Sequence, residues 1–221
     1  MARVMILGGG FAGVVAAESL AKRPGGEHEI TLVSRSRQFL FYPALVRLAF
    51  GQSTPDDITF DLYEAMFDRR VRFVAGEVAR LNPYEQRVTF AGGDVIGEMP
   101  YDFLVLALGR RLATERITGF YENSYHLLGL DSALKFGDAV RGFHQGHAVI
   151  GSCPGARSPV PVFETAFALA RFLEKRGERN RCAITVVSDG TPAEMFGGAS
   201  VSEKLLDSLN LRGINLVSDF P

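Results

Sequence analysis

Residues 4–7 read Val-Met-Ile-Leu, a short unbroken apolar run of the kind that forms a strand buried on both faces. Three glycines follow, and residues 11–22 then read as a helix that Pro24-Gly25-Gly26 stops. Residues 29–34, rich in β-branched side chains, predict a second strand. Thr54-Pro55-Asp56-Asp57 is a helix-start signal: a capping hydroxyl, a proline in the first turn and acids facing the helix dipole. The pattern then shortens to strands over 71–75, 77–81 and 86–91, broken by Asn82-Pro83 and Gly92-Gly93, which predicts a small inserted β-meander. Residues 101–109 predict a buried strand that returns the chain to the sheet and stops at glycine. The second half predicts a polar helix over 132–143 and a strand over 147–150. A turn over 151–156 and a helix over 161–176 follow, then a strand over 183–188, a helix over 201–211 closed by Arg212-Gly213, and a strand over 214–217. Strands alternating with helices place the chain in the α/β class.

The opening is one structural unit. Strand, glycine turn, helix and second strand occur in the order of the βαβ dinucleotide-binding motif, within residues 3–34. In Gly8-Gly9-Gly10-Phe11-Ala12-Gly13 the fingerprint positions are Gly8, Gly10 and Gly13. Gly8 permits the sharp turn, Gly10 lets the main chain approach a pyrophosphate, and Gly13 allows close helix–strand packing. The helix N-terminus supplies unpaired N–H groups and a partial positive charge to the phosphates. The acidic residue usual at the end of the second strand is absent, and Ser34-Arg35 stands there. That pair reads either as a ribose and adenine or phosphate contact or as a solvated strand end.

The turn of a second strand–turn–helix begins at Gly151, 143 positions after Gly8. With Gly151 in the first fingerprint place, Cys153 takes the second and Ala156 the third. A side chain at the second place intrudes on a pyrophosphate, so a nicotinamide dinucleotide, NAD(P)H, fits this turn less well than the first.

Composition sets outer limits. The chain has 221 residues, 24 Lys+Arg against 25 Asp+Glu, and a formal net charge of −1. With no basic stripe, a nucleic-acid partner is not expected. No apolar run approaches the roughly 20 residues of a membrane span. Cys153 and Cys182 give neither a disulfide framework nor zinc spacing, and a reducing, cytoplasmic setting is expected. His28, His126, His144 and His147 form no metal motif, so no metal is expected.

Several candidates carry two readings each. Residues 38–43, Gln-Phe-Leu-Phe-Tyr-Pro, read as a wall for a flat ring or as core. Gly109 reads as a close ligand approach or as packing. Cys153 reads as a small packing residue or a redox thiol. Glu164, at the start of the helix after the second turn, reads as a proton relay or as a first-turn acid favourable for the dipole. Arg110-Arg111 reads as a solvated pair or an anion site.

Together these features resemble the two-dinucleotide-binding-domain flavoproteins of the pyridine nucleotide–disulfide oxidoreductase superfamily. Phe39-x-Phe41-x-Pro43, Asp56-Asp57-Ile58-x-Phe60, and Gly155-Ala156 followed by Pro161-x-Phe163-Glu164 look most similar to sulfide:quinone oxidoreductase and flavocytochrome c sulfide dehydrogenase. Type II NADH dehydrogenase is the next relative. The resemblance implies two Rossmann-like, three-layer FAD/NAD(P)-binding domains, 1–112 with the inserted meander and an incomplete 113–221. It implies FAD, with the pyrophosphate at Gly8, Gly10, Phe11, Ala12 and Gly13 and the ribose at Ser34-Arg35. Adenine is implied near Val78, and the isoalloxazine near Tyr42-Pro43 and Ala107 to Gly109. Glu164 and Cys153 are the implied catalytic candidates, and a quinone or a cytochrome the implied acceptor class.

The departures from that pattern are specific. Arg157 and Ser158 stand where the sulfide-oxidising branch has a cysteine, and Leu127-Leu128-Gly129 where it has another. Ala107-Leu108-Gly109 replaces Ala-Thr-Gly. The C-terminal Gly-Asp segment and the quinone or membrane-docking region are not found, so a fragment or truncated product is expected, with peripheral contact at the inner face of a membrane only through that missing region. Two functions remain open at this point: an FAD-dependent oxidoreductase of the sulfide:quinone or NADH:quinone type, or a dinucleotide-binding module without complete redox machinery.

Overall fold

The computed structural model describes residues 1–23, 28–109, 113–153, 156, 158–198 and 200–220. Strand β1 (Arg3–Leu7), helix α1 (Phe11–Ala21) and strand β2 (Glu29–Ser34) open the chain. Strand β3 (Gln38–Leu40), helices α2 (Leu45–Ala49) and α3 (Pro55–Ile58), strand β4 (Thr59–Asp61) and helix α4 (Leu62–Phe67) follow. Strands β5 (Arg72–Asn82), β6 (Arg87–Gly93), β7 (Gly97–Pro100) and β8 (Phe103–Leu106) come next. The rest runs α5 (Phe120–Asn123), α6 (Leu130–Gly142), β9 (Gly146–Gly151), α7 (Val160–Lys175), β10 (Cys182–Val187), α8 (Pro192–Met195), α9 (Val201–Leu211) and β11 (Ile214–Val217). The chain packs as two compact units, Met1–Phe41 with Thr59–Ala113, and Tyr42–Ile58 with Thr114–Pro221. The segment carrying α2 and α3 thus packs with the second half of the sequence.

The first unit is a six-stranded sheet of order β7-β6-β5-β2-β1-β8. Strands β8, β1, β2 and β5 are parallel, and β5, β6 and β7 antiparallel. The apolar run of β1 is explained by burial on both faces. Val4 and Ile6 join one core with Ala17, Leu32, Leu62 and Met66, while Met5 and Leu7 join another with Val33, Val88 and Phe90.

Three local expectations change. The strands expected over 71–75 and 77–81 are one strand, β5, whose register against β6 shifts at Val78. Gly76 marks close packing on Phe90 and Val33 rather than a break, and the irregularity of a bulge falls just after it. The third meander strand is β7, which the glycines around it hid. The expected buried strand over 101–109 is β8, an edge strand with Phe103 63% and Leu106 61% exposed. An apolar run looks the same in sequence whether one neighbouring strand covers it or two.

Asp102 ties the start of β8 to β1. It accepts from the Arg3 backbone N–H at 2.7 Å and from Arg3 Nη2 at 2.7 Å. The Arg3 guanidinium holds the Asp102 carboxyl down, from its ordinary 3.8 to about 2. A carboxylate with a lowered folded-state pKa stabilises the fold above its ordinary value and ceases to as pH falls through the folded value. The urea midpoint of Asp102→Asn should therefore lie below that of the parent protein at neutral pH, and the gap should close between about 3.8 and about 2.

The second unit has a three-stranded parallel sheet of order β11-β10-β9. Helix α7 packs on it through Phe163, Ala166, Leu169, Ala170 and Leu173, the stripe that a 3.6-residue period produces, against Ile184, Val186 and Leu209. Helix α2 lies close to α6, where a Cβ on Gly137 would stand 2.7 Å from the Ala49 carbonyl oxygen. Of the four histidines, His144 pairs with Glu178 and His147 with Thr185. Among the described residues, no helix is long and apolar enough to cross a membrane.

Candidate dinucleotide site

The carboxyl ends of β1, β2 and β8 meet at the first glycine turn. Leu7 ends β1 fully buried, and the Gly8 N–H donates to the Val33 carbonyl at 2.8 Å. Gly8 has φ +115°, and a Cβ there would stand 2.1 Å from the Ala107 carbonyl oxygen, so both conformation and space exclude a side chain. Gly13 opens the buried face of α1, where a Cβ would stand 1.8 Å from the Gly8 carbonyl oxygen. These two glycines are required by the protein's own packing.

Gly10 is different. Its φ of −83° suits any residue, and a Cβ there would meet nothing within 4 Å. Nothing in the fold demands glycine at this position. It is the N-cap of α1, has no side-chain cap, and no acid follows in the first turn. The leading amides of the helix, at Phe11, Ala12 and Gly13, precede the first intrahelical bond, from the Val14 N–H to the Gly10 carbonyl at 3.0 Å. An N-cap with no side-chain acceptor, an unneutralised dipole end and a bare residue form a cradle for an anion.

Of the other residues expected at the cofactor, Ser34 and Ala107 adjoin the turn. Ser34 closes β2, with its Oγ 2.6 Å from where a Gly9 Cβ would stand, and Arg35 is exposed beside it. Gly9 therefore has a packing role that the three-position fingerprint misses, although three consecutive glycines were its visible sign. Ala107 donates its N–H to the Leu7 carbonyl at 2.8 Å, and Gly109, at φ +74°, lies two residues further in open space. Val78 sits three residues beyond Ala75, the last residue of β5 in register with β2. Phe11 packs edge-on to Phe39 at 5.0 Å and near Phe41 at 5.5 Å, and Phe39 stacks on Phe60 at 4.5 Å. Phe39 is thus core, as one of its two readings holds. Tyr42 and Pro43 form an exposed turn before α2 in the second unit. Arg110 and Arg111 lie outside the described residues, as do Pro154, Gly155 and Arg157 in the second turn.

The second turn does not repeat the first in detail. Eight residues, 152–159, separate β9 from α7, whereas only Gly8, Gly9 and Gly10 separate β1 from α1. Ala156 consequently precedes its helix by four residues, while Gly13 lies inside its own. Gly151 remains tightly placed, since a Cβ would meet the Val187 side chain at 2.6 Å. Cys153 is half-buried and Cys182 buried, both as free thiols. Cys182 pairs with Gly146 at one end of the β9–β10 ladder, and Cys153 follows Gly151 at the other end, roughly 16 Å or more away at the rise of a strand.

Glu164 is the fifth residue of α7, which has no acid in its first turn. The first-turn dipole role considered for it therefore does not hold, because the helix begins at Val160. Glu164 instead lines a cleft of about 450 Å³ with Arg47 of α2 and Arg171.

Comparison with known proteins bears on the family and the fold. The family model described as pyridine nucleotide-disulphide oxidoreductase matches residues 2–218. A sulfide-quinone reductase of Aquifex aeolicus is 30% identical over 210 residues, covering 93% of this chain and 48% of that protein. An alternative NAD(P)H-ubiquinone oxidoreductase of Arabidopsis thaliana is 28% identical over 165 residues, covering 66% and 32% respectively. The X-ray structure of the Aquifex aeolicus sulfide:quinone oxidoreductase superposes with a TM-score of 0.87 at 28% identity, over 99% of this chain and 51% of that one. The chain spans about half the length or less of these relatives. A βαβ opening with packing-enforced glycines, an inserted meander and a family match along nearly the whole sequence lead to one conclusion: the chain belongs to the pyridine nucleotide-disulphide oxidoreductase family.

Proposed function

We propose that this chain holds FAD in an oxidoreductase that passes electrons to a quinone, of the sulfide:quinone or NADH:quinone type. The observation that carries the reading is Gly10, a bare N-cap with open space beyond it that the protein's own packing does not require. The pyrophosphate would accept from the amides of Gly10, Phe11, Ala12 and Gly13, with Gly8 shaping the turn. Charge-assisted bonds of this kind contribute about 1.5–3 kcal/mol each. Ser34 and Arg35, at the end of β2, suit the ribose. The main chain near Val78 suits the adenine, and Ala107 and Gly109, with Tyr42 and Pro43 by family resemblance, suit the isoalloxazine. When bound, the flavin supplies the electron transfer, and the protein supplies its binding and orientation.

The donor is the finer question. The two cysteines of this chain stand at opposite ends of one ladder, so a sulfide route through a cysteine pair would need a partner thiol from elsewhere. The second turn, with Cys153 where a bare residue would admit a pyrophosphate, makes NAD(P)H binding there weaker than FAD binding at the first. Anaerobic titration of the FAD-reconstituted protein tests both. Flavin colour bleached by sulfide or by NADH supports the oxidoreductase and names its donor. A protein that gains no flavin, or whose flavin neither donor reduces, overturns it in favour of a binding module.

A further inference from the structure

Helix α7 has a second stripe. Glu164, Phe167 and Arg171, spaced three and four residues apart, share a face distinct from the core stripe, and that face lines the cleft of about 450 Å³ with Val46 and Arg47 of α2 and Arg212 after α9. The whole chain is nearly neutral, with 24 Lys+Arg against 25 Asp+Glu, yet three guanidinium groups and one carboxylate line this cleft. Arg212 is committed, donating through Nη1 to both oxygens of Glu174 at 3.0 and 2.9 Å. Arg47 is exposed, and the Asp57 carboxylate that feels its charge is already held by the Thr54 N–H and hydroxyl. Arg171 is exposed and, among the described residues, forms no ion pair. Two planar fork donors are thus available beside one carboxylate, Glu164, with the Phe167 ring and Val46 as an apolar wall.

We propose that this cleft binds a phosphomonoester of a sugar. Arg47 and Arg171 would take the phosphate, since guanidinium groups match its oxygens in bidentate fashion. Glu164 would accept from the sugar hydroxyls. Its carboxylate repels a bare anion, so the site favours an ester with donors over inorganic phosphate alone. The volume lies within the range of small-molecule sites. This site is built from residues of the second unit alone.

Calorimetric titration of the full chain with ribose 5-phosphate, AMP and inorganic phosphate tests the proposal. Both esters should bind at least tenfold more tightly than inorganic phosphate, and AMP more tightly than ribose 5-phosphate if its base reaches Phe167. Arg47→Met and Arg171→Met should each weaken binding tenfold or more without moving the thermal midpoint, because both side chains are exposed. Glu164→Gln should narrow the preference for the esters over phosphate. Gly10→Val, which blocks the first turn, should leave ribose 5-phosphate binding unchanged, so failure of this site and failure of the flavin site are separately visible. No binding of either ester at millimolar concentration, or equal binding by the Arg47→Met, Arg171→Met double variant, overturns the proposal.

Discussion

Replacing Gly13 by alanine is expected to destabilise the first unit by about 3 kcal/mol, the upper end of what overpacking a well-packed core costs. The added methyl would stand 1.8 Å from the Gly8 carbonyl oxygen and 3.0 Å from its carbon, both main-chain atoms. A flexible side chain could swing aside, but this pair cannot. Helix α1 would have to lift from β1, which strips cover from Ile6 and Leu32, two fully buried members of that core. Urea unfolding followed by far-UV circular dichroism should show the loss, and flavin retention should fall with it because the turn itself is displaced. A variant as stable as the parent would mean that the strand–turn–helix packing described here is wrong.

Replacing Gly10 by valine should separate binding from folding. A Cβ at Gly10 meets nothing within 4 Å, and the backbone conformation is one that valine adopts. The cost to stability should stay near 1 kcal/mol, the penalty for a poor N-cap residue. The cost to FAD should be far larger. An isopropyl group in front of the first-turn amides holds the pyrophosphate away from donors whose bonds contribute about 1.5–3 kcal/mol each. At least a hundredfold loss of affinity is expected, about 2.8 kcal/mol. Equilibrium dialysis against FAD, beside a melting curve, reads both quantities. Undiminished flavin content in a folded Gly10→Val protein would remove the turn from the binding site.

The contrast between these two glycines was legible in the sequence, because the fingerprint assigns each position a different task. So were β1, α1 and β2, whose apolar runs and stop signals are local. What the sequence hid depends on neighbours. The apolar run at 103–106 gives no sign that, among the described residues, β8 has only β1 beside it, and Gly76 gives no sign that β5 continues through it. By glycine spacing the second turn resembles the first, but where α7 begins depends on how Pro159 and Pro161 start it. That start moved Glu164 out of the first helical turn. The cleft it lines was invisible, since Arg47 lies 117 positions from Glu164 and only the packing of α2 with the second unit brings them to one surface.

The amide signals of the full chain, followed by nitrogen–proton correlation spectra as FAD is added, test the central claim most directly. The account predicts saturation at one FAD per chain with the largest shifts at the Gly10, Phe11, Ala12 and Gly13 amides and smaller ones at Ser34 and Ala107. Saturation with those four amides unmoved, or no saturable binding, would contradict it.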